Sequence, residues 1–273
     1  QILANYVAHD SINALFVLAG PAEQIFRERI GKIETISLSE ALATCEWVLT
    51  STGWQTDFEW LGILKGRESE RYVITFLDHW VNYQERFVRK GIACYPDEIW
   101  VGDMYAEELA RVSLPGLPIR QVENHYFSYF VREVERMSKN TGTGCKSRQN
   151  ILFVSENINR DNFSQNEALL YFMSNLDYLG IEVGWILIRP HPSEPASKYA
   201  WVANEFRGDI RLSLGASLAE EVAASDIVAG CSSMAMALAA MAKKRVISCI
   251  PKQKASLTLP FEKIEELSTI ITK

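Results

Sequence analysis

The sequence predicts an α/β protein made of two doubly wound, parallel-sheet halves facing a cleft. Three observations predict it. Short apolar runs rich in Val, Ile, Leu and Phe alternate with turns and helix-length amphipathic stretches, the pattern of parallel strands joined by crossover helices. A polar segment breaks that rhythm once, after which it restarts. The 273 residues are 48% hydrophobic and 23% charged, which is enough to bury two cores.

In the first half the strand candidates are Ala14 to Leu18, Trp47 to Thr50, Tyr72 to Leu77, Ile99 to Val101 and Ile119 to Val122, with helices between most of them. The chain opens Gln1-Ile2-Leu3 on a helix-like segment, an opening that fits a first strand missing ahead of it. Residues 138–150 (SKNTGTGCKSRQN) are polar, hold two glycines and lack periodicity, so they are the expected linker between domains at 1–137 and 151–273. The second half restarts with Ile151 to Val154, a helix over Gln165 to Leu179 and a strand over Val183 to Ile188. A helix over Ser197 to Phe206 and a strand at Ile210 to Leu212 follow. Ser217 with Glu220 three residues on reads as a capping box, in which each side chain satisfies a free backbone N–H at a helix start. Strand Ile227 to Ala229, helix Ser233 to Ala242 and strand Arg245 to Ile250 complete the pattern.

The formal net charge of -6 lacks the basic footprint that offsets nucleic-acid phosphates, so nucleic acid is not an expected partner. Five cysteines, Cys45, Cys94, Cys145, Cys231 and Cys249, stand singly and in odd number, which reads as reduced thiols in a cytoplasmic protein. No apolar run reaches the roughly 18 to 20 residues that span a bilayer, although peripheral membrane contact remains compatible. No metal cluster is expected, since neither a DxD element nor His/Cys ligand spacing appears. The glycine-rich dinucleotide and Walker fingerprints are missing too, so no bound cofactor is expected.

Open parallel sheets bind ligands at the carboxyl ends of their strands, so residues just after a strand carry the most information. Arg189-Pro190-His191-Pro192-Ser193-Glu194 follows one such strand, and two prolines stiffen the backbone around an imidazole able to donate to a phosphate. The plain alternative is a strand terminator with a solvated histidine. Gly230-Cys231-Ser232-Ser233 follows another strand and opens a helix whose free N–H groups and dipole attract an anion, or which the serines simply cap. Glu156 follows the first strand of this half and faces the same presumed cleft.

His191-Pro192 and Ser232-Ser233, with the restarted rhythm, resemble the His-Pro and Ser-Ser motifs of GT-B glycosyltransferases. The nearest motifs are those of the bacterial sialyltransferase, polysialyltransferase and Kdo transferase type. The resemblance covers roughly residues 151 to 250. It implies two Rossmann-like domains and a nucleotide-sugar donor whose phosphate is held by His191 and by Ser232 and Ser233; Arg189, beside His191, and Glu156 join the donor site as candidates by their strand-end positions. Many relatives carry a ribose-holding glutamate on the helix after the serines, where this chain reads Met234-Ala235-Met236-Ala237-Leu238-Ala239. That departure disfavours a UDP-sugar and favours a CMP-linked acidic sugar or loss of activity.

In the first half, Thr52-Gly53-Trp54-Gln55-Thr56-Asp57-Phe58-Glu59 places two acids after a strand, where Asp57 or Glu59 would act as the acceptor's base or merely complement a helix dipole. Leu77-Asp78-His79-Trp80 with Asn82 and Tyr83 offers sugar-stacking rings and hydrogen-bonding groups. Asp78 and His79 are therefore a binding or catalytic pair, unless Asp78 serves as a cap. Asn124-His125-Tyr126-Phe127 reads as packing. The expected function is thus a metal-independent glycosyltransferase of bacterial surface polysaccharide synthesis, with a nucleotide-sugar donor as co-substrate and a glycan or lipid-linked acceptor. A nucleotide-sugar epimerase or hydrolase, or a non-catalytic binding subunit, is the alternative.

Overall fold

Apolar runs that are buried on both faces pair as parallel strands, and that is how both sheets of this protein form. The computed structural model describes residues 1–10, 12–53, 56–140, 147–157, 159–160, 163–252, 254 and 257–272. The chain divides into two units, Gln1–Ser128 and Tyr129–Lys273.

Unit 1 opens with three helices, α1 (Ile2–Asp10), α2 (Pro21–Ile30) and α3 (Leu38–Thr44), the last begun by a Ser37/Glu40 capping box. Strand β1 (Trp47–Thr50), helix α4 (Phe58–Glu68) and strand β2 (Tyr72–Leu77) follow. A small hairpin of β3 (Val88–Arg89) and β4 (Ile92–Ala93) precedes β5 (Glu98–Val101), α5 (Met104–Ser113), β6 (Ile119–Gln121) and α6 (His125–Asn140). The four main strands pair in parallel in the order β1-β2-β5-β6. On one face Ile74, Phe76 and Trp100 form a core cluster against Ile2, Leu3 and Tyr6, which lays α1 over the sheet.

Unit 2 contains β7 (Gln149–Val154), a hairpin of β8 (Asn159–Arg160) and β9 (Phe163–Ser164), α7 (Gln165–Met173) and β10 (Val183–Arg189). These lead to α8 (Val202–Glu205), β11 (Asp209–Leu212), α9 (Leu218–Ala224), β12 (Ile227–Gly230) and α10 (Met234–Met241). The unit ends with β13 (Arg245–Ser248), β14 (Ile264–Glu266) and α11 (Leu267–Ile271). Its six-stranded sheet is parallel throughout, in the order β11-β10-β7-β12-β13-β14. Counted along this unit, that is strand order 3-2-1-4-5-6, the dinucleotide-binding arrangement, with its direction reversing between β7 and β12. The expected α/β class with Rossmann-like organisation is therefore present.

Several expected elements differ in detail. The strand at Ala14 to Leu18 is reduced to one parallel bridge between Phe16 and Thr35, and Leu15 is half exposed. The helix expected to reach Leu179 ends at Met173, because the Asn175 side-chain amide donates to the Tyr171 carbonyl, and a 3-10 turn over Leu176–Leu179 closes on left-handed Gly180. The helix expected over Ser197 to Phe206 is split into a 3-10 turn (Ala196–Tyr199) and the single turn of α8. The strand expected to reach Ile250 stops at Ser248, three residues before Pro251. At the junction, α6 runs through the division at Ser128/Tyr129 and takes in the first three residues of the polar segment, while residues 141–146 lie outside the described ones.

Candidate functional site

In unit 2 the strand order reverses where β7 and β12 lie side by side, and a ligand crevice belongs outside their carboxyl ends. Segment 155–157 leaves β7 there, and Cys231, Ser232 and Ser233 leave β12. The two strands come together closely at Gly230. A Cβ at that position would lie 2.8 Å from both the Val154 carbonyl oxygen and its Cγ2, so only glycine fits. Ser233 is the N-cap of α10, yet its side chain makes no capping bond, and its shielded hydroxyl has no hydrogen-bond partner among the described residues. A buried hydroxyl without a partner is uncommon and marks unused donor capacity at this helix start. Ser232 Oγ accepts from the Thr258 N–H at 3.4 Å, and Ser248 Oγ donates to the Cys231 carbonyl at 3.0 Å, which fixes the loop.

Glu156 brings a negative charge to this positive helix end: its carboxylate accepts a hydrogen bond from the Ser232 N–H. Its own N–H donates at 3.1 Å to Oε1 of the fully buried Gln165. The expected anion seat is therefore held by a carboxylate of the same chain.

His191 reaches the same strand ends from β10. Its Nδ1 accepts from the Ser193 N–H at 3.2 Å, which places the proton of the neutral ring on Nε2 and leaves that N–H as a donor. The backbone around it is anchored by Glu194, whose carboxylate accepts from Ser155 Oγ at 2.5 Å, Tyr199 OH at 2.7 Å and Lys198 Nζ at 2.5 Å. Burial by itself would raise the Glu194 carboxyl, but bonds from Lys198, Ser155 and Tyr199 outweigh it and hold the group below its ordinary value. Asn157 Nδ2 adds a bond to Ser193 Oγ at 3.2 Å. The His191 loop and the Ser232 backbone are thus both tied to segment 155–157. Arg189 is directed elsewhere. Its guanidinium donates to the Ala216 carbonyl at 2.9 Å and to the buried Glu221 carboxylate at 2.5 Å, so the expected phosphate contact is replaced by an ion pair that docks α9.

In unit 1, Asp57 precedes α4 without capping it and pairs with Arg89 at 3.3 Å. Glu59 Oε2 is shielded and has no hydrogen-bond partner among the described residues. Its carboxylate packs where a Cβ on Gly53 would stand, 2.7 Å from that oxygen. Trp54 and Gln55 lie outside the described residues. Asp78 is bound by Arg86 Nη1 at 2.8 Å and by Thr52 Oγ1 at 3.2 Å. His79 Nδ1 accepts from the Trp80 N–H at 3.0 Å, again leaving Nε2 protonated; burial, reinforced by Arg86, holds this imidazole below the ordinary histidine value. Trp80 Nε1 donates to Asp103, the N-cap of α5, and its ring stacks on Phe127 with centroids 6.3 Å apart. Asp78, His79 and Trp80 line one small recess with Asp103, Asn124 and Phe127, with room for about one water.

One grouping was not anticipated from the sequence. No metal-ligating cluster was expected, yet the fold brings His9, Asp10 and His125 together with ligand atoms all within 4.8 Å of one another. The sequence hides this group because about 115 residues separate its two parts. Sequence reasoning also missed Ser155, signalled only by its place after a strand, Gln165, signalled only by a helix start, and Tyr199, which ends a 3-10 turn and carries no local signal.

No protein family and no curated protein matches the chain in sequence. Among solved structures, the wall teichoic acid polymerase TagF is similar in fold. One histidine-to-alanine variant of TagF matches with a TM-score of 0.52, and one histidine-to-asparagine variant with 0.51, each at 12% identity. Each match covers 90% of this chain and 65% of the polymerase chain, so the protein spans about two thirds of TagF's length. No helix among the described residues is long and apolar enough to cross a membrane.

Proposed function

We propose that the chain is a glycosyltransferase that binds a nucleotide-activated sugar at the β7/β12 strand ends of unit 2 and serves surface polysaccharide synthesis. The observation that carries this reading is the Ser233 hydroxyl at the start of α10, without a hydrogen-bond partner among the described residues, on the switch point of a 3-2-1-4-5-6 sheet. An N–H-rich helix start, an idle hydroxyl and a His191 Nε2–H are what a phosphate requires. The fold shared with TagF, a wall teichoic acid polymerase, supports a surface polymer as the product class. Arg189 is left out of the donor site because of its ion pair with Glu221.

Transfer needs no metal in this scheme. The acceptor hydroxyl gives its proton to a unit 1 carboxylate and its oxygen bonds to the anomeric carbon. The bond from that carbon to the phosphate oxygen breaks, and the departing negative charge rests on the α10 start and the His191 N–H. Glu59 is the favoured base, because its Oε2 is not engaged by any described donor while Asp78 is held by Arg86 and Asp57 by Arg89. Asp78, whose side chain is partly exposed, and His79 would meet an acceptor hydroxyl at the mouth of the recess they line. A CMP-linked acidic sugar is the favoured donor, since α10 (MAMALAAM) carries no acid to hold a UDP-sugar's ribose.

Calorimetric titration of the protein with CMP, UDP and GDP tests the reading. CMP should bind, and Ser233→Ala and His191→Ala should each weaken it about 10-fold or more, the value of a hydrogen bond to a charged group. UDP preference would favour an epimerase or hydrolase instead, and failure to bind any nucleotide would leave a non-catalytic subunit.

A further inference from the structure

The His9, Asp10 and His125 group lies in unit 1 beside the recess of Asp78, His79 and Trp80, since the recess-lining Asn124 and Phe127 flank His125, and its assembly follows from packing. Tyr6 of α1 meets Trp100 edge to face with centroids 5.2 Å apart, which docks α1 on the sheet. The end of α1 then lies over the start of α6. The His9 and His125 rings stack there with centroids 3.7 Å apart and planes 18° from parallel.

Three features of this group fit a metal. Asp10 Oδ1 lies 2.8 Å from His9 Nδ1 and 3.5 Å from His125 Nε2. Ligand atoms about 2.0 to 2.1 Å from a tetrahedral zinc are about 3.3 Å from one another, so the Asp10 oxygen stands at ligand spacing from both rings. The rings are stacked with parallel lone pairs, so ligation requires one imidazole to turn toward the ion and exchanges the His9–Asp10 hydrogen bond for a metal bond. The second feature is the far side of His125, where Nδ1 faces Glu123 Oε1 at 3.5 Å. A proton held on Nδ1 toward that carboxylate leaves the Nε2 lone pair free for a metal, the arrangement by which an outer carboxylate orients a ligating histidine. The third is exposure: the His125 side chain is only 11% exposed, whereas His9 and Asp10 open to solvent and leave an entry path.

We propose that His9, Asp10 and His125 bind one divalent transition-metal ion of the zinc class, with Glu123 positioning His125 and water completing the coordination. Two imidazoles and one carboxylate make a nitrogen-rich set. That excludes calcium and magnesium, which take oxygen ligands, and copper(I), which takes sulfur. The site joins the end of α1 to the start of α6, so its ion acts as a clasp within unit 1. It is independent of the donor site, and its readout requires no activity.

The test is calorimetric titration of the EDTA-stripped, dialysed chain with zinc chloride, paired with thermal unfolding and cobalt(II) absorption. One equivalent should bind, the melting temperature should rise by about 5 °C at saturating zinc, and cobalt should give the intense visible bands of a tetrahedral site. His9→Ala and His125→Ala should each abolish the stoichiometric step, and Glu123→Gln should weaken it about 10- to 100-fold. His9 is exposed, so its variant reports on binding even where His125→Ala fails to fold. Binding that survives His9→Ala, no binding at 100-fold molar excess, or affinity unchanged by Glu123→Gln overturns the proposal.

Discussion

At the scale of single residues, Glu156 poses the sharpest question. Its carboxylate accepts the Ser232 N–H that a donor phosphate would need. Two anions cannot share one helix start, since their repulsion at contact distance outweighs what the dipole returns to either. Phosphate binding under the proposed function therefore displaces Glu156. Glu156→Gln keeps the shape and removes the charge, so CMP affinity should rise by about 3- to 10-fold, as measured by calorimetry, with a smaller gain at high salt. A carboxylate that holds the ribose hydroxyls would give the reverse, a loss of affinity in the same variant. The neighbouring Glu194 shows how differently a carboxylate behaves when it is fully engaged: four donors fix it, the His191 N–H among them, and it serves as an anchor for the His191 loop.

Elements are where the sequence was most legible, and where its silence has identifiable causes. Tyr72–Leu77 was readable as a parallel strand because five of its six residues are buried, so its apolar run is continuous. The Ser217/Glu220 box was readable because capping is local in sequence. The bridge at Phe16 and the break after Met173 were not, because one depends on a distant partner and the other on a single amide from Asn175. Site residues followed the same rule. His191 and Ser233 announce themselves by following strands. The diversion of Arg189 to Glu221 is a tertiary contact, invisible until β10 and α9 are set side by side. The close approach of β12 to β7 yields its own prediction. Gly230→Ala forces a Cβ to within 2.8 Å of the Val154 carbonyl, and backbone within a central strand cannot swing aside. The variant should lose about 1 to 3 kcal/mol of stability in urea unfolding and should weaken CMP binding, because the displaced β12 end carries the start of α10.

For the whole molecule, the division at Ser128/Tyr129 assigns each unit its own parallel sheet and its own core. The core of unit 2 is contiguous, from Ile151 and Phe153 of β7 through Phe172 of α7 to Ile227, Ile247 and Leu267. Unit 2 also includes Tyr129–Asn140, the larger part of α6, where Phe130 and Val134 are buried and Ser138 Oγ donates to the Ala223 carbonyl. A domain that encloses its own core and satisfies its own sheet folds alone at this size. A fragment of residues 129–273 should therefore fold cooperatively, with dispersed amide resonances. A cut at 151, where the polar segment ends, should lower its stability by removing Gln149 and Asn150 of β7 and the α6 bond from Ser138 to Ala223. The same fragment separates donor binding from everything unit 1 supplies. Ser233, His191 and Glu156 all lie within it, so under the proposed function its CMP affinity should match that of the full chain within about 3-fold, while transfer activity, which needs a unit 1 carboxylate, should vanish. A larger drop in CMP affinity from a folded fragment would mean that unit 1 holds part of the nucleotide, and the assignment of donor and acceptor to separate units would fail.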